Sequence, residues 1–174
     1  MEQAGYEFEV MHPDDAAECG VCSRETPPEF AARLAYQKAG DVARRVDRVI
    51  VIGADTVAEC RGHILGKPHD REHASQMLRL LRGQTHHVYT GVCVWHRPGD
   101  QTLVKVESTK LRMNDMTDKQ LERYLDSGDW QGKAGAFGYQ DDHDWIQIIA
   151  GSKSNVVGLP MELLKEMLTD KMAL

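Results

Sequence analysis

A chain of 174 residues with 41% hydrophobic and 28% charged side chains has ordinary globular composition, which excludes a disordered chain and fits one compact domain over residues 1–174. Its formal net charge of −6 excludes a nucleic-acid backbone as partner, because sequence-independent binding needs clustered Lys and Arg. No apolar run approaches a membrane span, and the start Met1-Glu2-Gln3-Ala4-Gly5 lacks the basic region and apolar core of a signal peptide, so no membrane partner and a cytoplasmic location are expected.

In chain order, Tyr6, Phe8 and Val10 alternate with Glu7 and Glu9, which predicts a strand with one buried face. Residues 11–25 are polar and irregular, with Glu18 among several acids. Cys19 and Cys22 have C-x-x-C spacing, but a zinc site wants a second pair and a redox motif wants to open a helix after a strand. Thr26-Pro27-Pro28-Glu29 predicts a helix start, with Thr26 as N-cap, Pro27 at the first helical position and Glu29 completing a capping box. This helix should run to about Arg45 with Phe30, Leu34, Val42 and Val46 as its buried stripe. Lys38 falls on the same line, where it either snorkels along apolar surface or reaches into an anion-binding cleft.

Val49 to Ile52 is a β-branched run that predicts a strand covered on both faces, and Asp55 interrupts it where burial should stop. Cys60, Arg61 and Gly62 predict a turn. If the strands pair about Arg61, Asp55 and Lys67 fall roughly opposite each other. An acid facing a base across a hairpin is either a partly exposed ion pair or a site for phosphate or metal chemistry.

Asp70 predicts the cap of a short helix with Ala74, Met77, Leu78 and Leu81 on one face, stopped by Gly83. Thr85 to Trp95 and Leu103 to Met113 predict two strands joined through Arg97-Pro98-Gly99-Asp100. His86 and His87 are adjacent, so in a strand they face opposite sides and do not share a metal. Thr117-Asp118-Lys119-Gln120 is a second capping box, opening a helix that carries Leu121, Tyr124 and Leu125 and ends near Gly128. Gly132, Gly135 and Gly138 are spaced by three around Lys133 and Tyr139, either a close approach of backbone to ligand or a plain turn. Trp145 to Ile149 predicts a strand, Gly151 to Pro160 a loop, and Pro160 the start of a last helix burying Leu163, Leu164, Met167 and Leu168.

Five of these stretches belong together: Ala54-Asp55-Thr56-Val57, Gly66-Lys67-Pro68, Thr90-Gly91-Val92, the run from Lys133 to Gln140, and Ser154-Asn155-Val156-Val157-Gly158-Leu159-Pro160. In order and spacing they closely resemble the Maf family of nucleoside triphosphate pyrophosphatases, over nearly all of the chain. The resemblance implies an α/β fold of inosine-triphosphatase type, a central mixed twisted sheet flanked by helices, and a homodimer. It implies hydrolysis of a nucleoside triphosphate between the α- and β-phosphates with a divalent metal, Mg or Mn. By position, Asp55 matches the catalytic acid, which is also a metal ligand, and Lys38 and Lys67 match phosphate-contacting lysines. Glu18 matches an acid placed to help with the metal, and Lys133 the lysine of the glycine-rich motif. Thr56 and Gln140 match positions that separate a dTTP/UTP branch from a sister branch acting on methylated GTP, and both favour the pyrimidine branch. The chemistry agrees: phosphoanhydride hydrolysis needs cations to hold developing charge and a carboxylate that orients or deprotonates water or ligates metal.

The chain departs from the family pattern in two places. The family begins with a strand ending in Ser-x-Ser-Pro-Arg-Arg, and here Glu2-Gln3-Ala4-Gly5-Tyr6 matches what normally follows that motif. The first strand and its phosphate-binding arginines are therefore expected to be missing from the domain, which makes a non-catalytic nucleotide-binding or cell-division regulatory protein the alternative reading. Asp141-Asp142-His143-Asp144 also replaces residues that are usually small or apolar.

Overall fold

The computed structural model describes residues 1–14, 20, 22, 24–139 and 145–172. Helix α1 spans Pro27–Ala43, and the Glu29 carboxylate accepts hydrogen bonds from the Thr26 backbone N–H at 2.8 Å and hydroxyl at 2.6 Å. This fastens the helix start as the capping sequence predicts. Strand β1, Ile50–Cys60, turns through Arg61 and Gly62 into β2, His63–Leu65. Both turn residues have positive φ, 53° and 81°, the backbone that lets a two-residue loop follow the twist of its strands. Helix α2, Arg71–Leu81, is capped by Asp70, whose carboxylate accepts from the His73 backbone N–H at 2.7 Å.

Strands β3, Thr85–His96, and β4, Gln101–Met113, form the long central hairpin. Helix α3, Asp118–Ser127, starts at the Thr117 capping box and stops at Gly128, which is left-handed at φ 78°. Strand β5, Ile146–Ala150, completes a five-stranded sheet in the order β2-β1-β3-β4-β5. The stretch expected as a loop after it holds one more helix, α4, Lys153–Val157, because the Ser152 hydroxyl caps it by accepting from the Asn155 N–H. Helix α5, Met161–Met172, closes the chain. No helix among the described residues is long and apolar enough to cross a membrane.

The architecture is the expected α/β layering of helices on a central sheet. Every described strand pair is antiparallel, whereas a mixed sheet would need a parallel neighbour. Beside β1, β2 covers Ala58 to Cys60 and leaves the edge of Ile50 to Val57 without a strand among the described residues. Two expectations fail at this edge. Val49 and Ile50 are 46% and 41% exposed, so the β-branched run is not covered on both faces at its start. Tyr6 to Val10 forms no strand, and Phe8 and Val10 are 43% and 71% exposed. Alternation supplies an apolar face, but a strand also needs a neighbour for its backbone hydrogen bonds.

On one face of the sheet, α1 rides directly on β1 and β3. Its contact line is Ala31, Ala35 and Ala39, all at most 1% exposed, rather than the larger side chains that the periodicity emphasises. Leu34 and Val42 are buried beside that line, while Phe30 and Val46 are only partly covered. Opposite the alanines stand Gly53 and Gly91. A Cβ on Gly53 would lie 2.5 Å from the Ala35 carbonyl oxygen, and one on Gly91 2.3 Å from that of Ala31. The other face is covered by α2 and α3, through Met77, Leu78, Leu81, Leu121 and Tyr124, and by Leu164 and Met167 of α5 packing on Val92 and Val94.

Candidate active site

The close seating of α1 carries Lys38 to the middle of β1. Its Nζ donates to Asp55 Oδ1 at 2.5 Å, with the two side chains 19% and 13% exposed. Lys38 therefore reaches a partner rather than snorkelling to water. The expected opposition of Asp55 and Lys67 across the hairpin does not occur, because β2 ends at Leu65 and Lys67 lies beyond the paired segment. The two residues are nevertheless brought together in another way. Lys67 and Lys133 line a cavity of about 330 Å³ on the helix-rich face opposite α1, and Asp55 borders it from β1, with its carboxylate held by Lys38 on the α1 face.

What draws the second lysine in is a backbone tie between two sequence motifs. The N–H of Gly135 donates to the Gly66 carbonyl at 3.0 Å, which fastens the glycine-rich turn to the Gly66-Lys67-Pro68 segment. That turn needs left-handed backbone at Gly132 and Gly135, φ 73° and 71°, a conformation glycine adopts without steric penalty. Under the cavity runs a chain of hydroxyls and amides. The Thr90 hydroxyl donates to the Asn155 carbonyl at 3.0 Å and stands 2.9 Å from the Thr56 hydroxyl. The fully buried Asn155 side-chain amide donates to the Val88 carbonyl at 3.1 Å and to Thr109 Oγ1 at 2.9 Å. Thr56 is thus held in place from behind, and it lines the cavity together with Gly158.

A second hollow, of about 960 Å³, follows the open edge of β1 from Val49 to Ala54 and is bordered by Lys38 and the irregular segment from Tyr6 to Met11. Both hollows include Ala54. The Lys38–Asp55 pair therefore stands where they meet. Of the residues matched by position, Asp55, Thr56, Lys38, Lys67 and Lys133 converge on this region. Glu18, Gln140 and the acidic run 141–144 lie outside the described residues.

Among the described residues no three His, Cys, Asp or Glu side chains are grouped to hold a metal ion, and Asp55 is the only carboxylate that lines the cavity. A single carboxylate fits an ion such as Mg²⁺, which keeps several waters and takes its other ligands from substrate phosphates. It does not fit a closed structural site of the zinc type. Of the cysteines, Cys22 is exposed and Cys60 and Cys93 are buried free thiols.

A family model for Maf-like proteins matches residues 1–171 of the sequence. The chain belongs to the Maf family. It is 59% identical over 169 residues to a protein of Rhodopirellula baltica named dTTP/UTP pyrophosphatase, an alignment covering 97% of this chain and 74% of that relative. Proteins of the same name from Dictyoglomus thermophilum and Geotalea uraniireducens are 37% and 40% identical, over 97% and 92% of this chain and 87% and 82% of their own lengths.

This Maf-family chain also places in its cavity a residue that sequence reading weighed only as a metal ligand, His86. The ring lines the cavity and the residue is 3% exposed. Alternation along β3 separates His86 from His87, whose Nδ1 lies 3.6 Å from Glu59 on the opposite face. Nothing in the alternation says which face holds the cavity. Burial pushes the His86 pKa down from 6.5 to about 4, against a smaller opposing effect of a hydrogen bond with the Gln84 backbone. The imidazole is therefore neutral in the folded protein at pH 7, while the unfolded chain takes up a proton as pH falls below 6.5. Stability is full above pH 6.5 and falls through the window down to about 4, by about 3 kcal/mol from this residue. Urea unfolding at pH 7 and pH 4.5 should show a steeper acid loss in the wild type than in His86→Asn.

Proposed function

We propose that this protein is a nucleoside triphosphate pyrophosphatase that hydrolyses dTTP and UTP to the monophosphate and pyrophosphate, in a house-cleaning role. The observation that carries the reading is the convergence of Asp55, Lys67 and Lys133, from three separate motifs, on one cavity, with Lys38 bonded to Asp55 at its edge. The relatives named dTTP/UTP pyrophosphatase support the substrate.

The three lysines supply the positive charge that a triphosphate requires and that an acidic chain otherwise lacks, focused at one place. Before substrate binds, Lys38 and Asp55 neutralise each other. An incoming polyphosphate competes for the Lys38 ammonium, which leaves the Asp55 carboxylate able to accept a proton from the water that attacks the α-phosphorus. The bond to the bridging oxygen breaks and pyrophosphate leaves, its charge held by Lys67 and Lys133. Among the described residues Asp55 would hold a divalent Mg or Mn ion, which would supply further neutralisation of the phosphate oxygens. On the same reading the protein is a cytoplasmic homodimer, and sedimentation measures its assembly.

Pyrophosphate release from dTTP, UTP and GTP with Mn²⁺ tests this function. Release from the two pyrimidine substrates well above that from GTP is expected. Nucleotide binding with no release from any of them, in this chain and in one extended upstream by a Ser-x-Ser-Pro-Arg-Arg segment, would make the protein a non-catalytic nucleotide binder.

A further inference from the structure

His86 has a buried ring nitrogen, Nδ1, left without a hydrogen-bond partner, and the residue lies in the wall of the cavity already described. Its Nδ1 is shut off from solvent and has no partner among the described residues, although the residue is 3% exposed. Buried polar atoms without partners are uncommon and costly. In a cavity wall, a ligand that completes the bond recovers that cost. A half-turn about the broad χ2 torsion of histidine exchanges Nδ1 with a ring carbon, so the nitrogen can be aimed at a ligand without disturbing the backbone.

The position along the strands fits one part of a nucleotide. On the shared sheet Ala58 pairs with Val88, and His86 lies two residues further along β3 on the same face. The cationic groups Lys67 and Lys133, in the same cavity lining as His86, serve the phosphates. Around His86 the cavity wall is apolar instead, made by Leu81, Val88, Leu111 and Ile146. Apolar walls with one polar group at a fixed point are what a flat heterocycle with a hydrogen-bonding edge requires.

Resting on the pyrophosphatase reading of this site, we propose that His86 is a base-recognition residue whose imidazole hydrogen-bonds the imide edge of the uracil or thymine ring. That edge carries one N–H donor between two carbonyl acceptors. A neutral imidazole can meet either kind of group, through its unprotonated or its protonated nitrogen, and burial keeps the ring neutral at pH 7.

Two measurements test the assignment. In the first, kcat/KM is compared for dTTP and for deoxyribose 5′-triphosphate, which has no base. His86→Leu should lower the value for dTTP at least tenfold and leave that for the base-free triphosphate within about twofold. His86→Asn, which keeps a polar atom near the Nδ1 position, should recover much of the loss. Equal losses on both substrates would overturn the assignment while leaving the pyrophosphatase reading intact, and a wild type that turns over neither would overturn both. The second uses the wild-type protein with ¹⁵N-labelled histidine, so that it does not depend on a variant folding. The imidazole nitrogen resonances of His86 should shift on adding dTMP and stay in place on adding inorganic pyrophosphate. Resonances unmoved by saturating dTMP would overturn the proposal.

Discussion

Asp55→Asn is expected to reduce pyrophosphate release from dTTP by about 100- to 10,000-fold, the range associated with loss of a positioned general base. The substitution keeps the shape of the side chain, and the amide oxygen can still accept a hydrogen bond from Lys38 Nζ, now 2.5 Å from Oδ1. What it removes is the negative charge, and with it the proposed proton acceptor and metal ligand. Because both side chains of the pair are mostly buried, at 19% and 13% exposure, the stability change should still be measurable, about 1–2 kcal/mol. The informative result is therefore the contrast between a rate loss of orders of magnitude and a modest shift of the urea midpoint. Lys38→Met separates the partners: it should raise KM for dTTP through loss of a phosphate contact while leaving the carboxylate in place. Near-normal turnover in Asp55→Asn would show that the ion pair only joins α1 to β1.

The second large effect should come from a residue with no chemistry. Gly91→Ala places a methyl group 2.3 Å from the Ala31 carbonyl oxygen and 2.7 Å from the Ala32 nitrogen, closer than atoms tolerate, and both neighbours are helix backbone that cannot rotate away. Helix α1 must lift from the sheet. Overpacking typically costs 1–3 kcal/mol, and a clash with backbone rather than with a side chain belongs at or above the upper end, so a loss of about 3 kcal/mol is expected in urea unfolding. Gly66→Ala is the matching control, since a Cβ there meets nothing within 4 Å, and its midpoint should hardly move. Lifting α1 also draws Lys38 away from Asp55. Gly91→Ala should therefore lose activity under conditions where most of the protein is still folded, and full activity in the folded fraction would show that the seating of α1 does not set the site.

Much of the molecule was legible because its signals are local. The caps at Thr26, Asp70 and Thr117 work through side chains that reach backbone three residues away, so the helices start where the sequence places them. Arg61 and Gly62 form the hairpin turn through their own φ angles. The alternation in β3 separates His86 from His87 as period two requires. The family membership was likewise carried by ordered motifs, and the match over residues 1–171 agrees with it.

The misreadings came from contacts between distant segments. Tyr6 to Val10 has the pattern of a strand and no partner strand among the described residues. The helical period pointed to Leu34 and Val42 and passed over the alanine line, since an alanine's value depends on what it faces, and Gly53 and Gly91 lie on other elements. Asp55 was matched with Lys67 by counting around the turn, but the ladder stops at Leu65 and the direct partner is Lys38, seventeen residues upstream.

The sequence by itself determined the element boundaries set by caps and turns, the family, and the identity of the charged residues, because each rests on neighbours in the chain or on ordered motifs. Only the tertiary structure decided that Lys38 pairs with Asp55, that Gly135 ties the Lys67 segment to the Lys133 turn, and that His86 lies in the cavity wall. Those three facts depend on which face of the sheet each helix and loop covers, and on how closely α1 approaches it. A periodicity records that a residue faces inward, but not what it meets there.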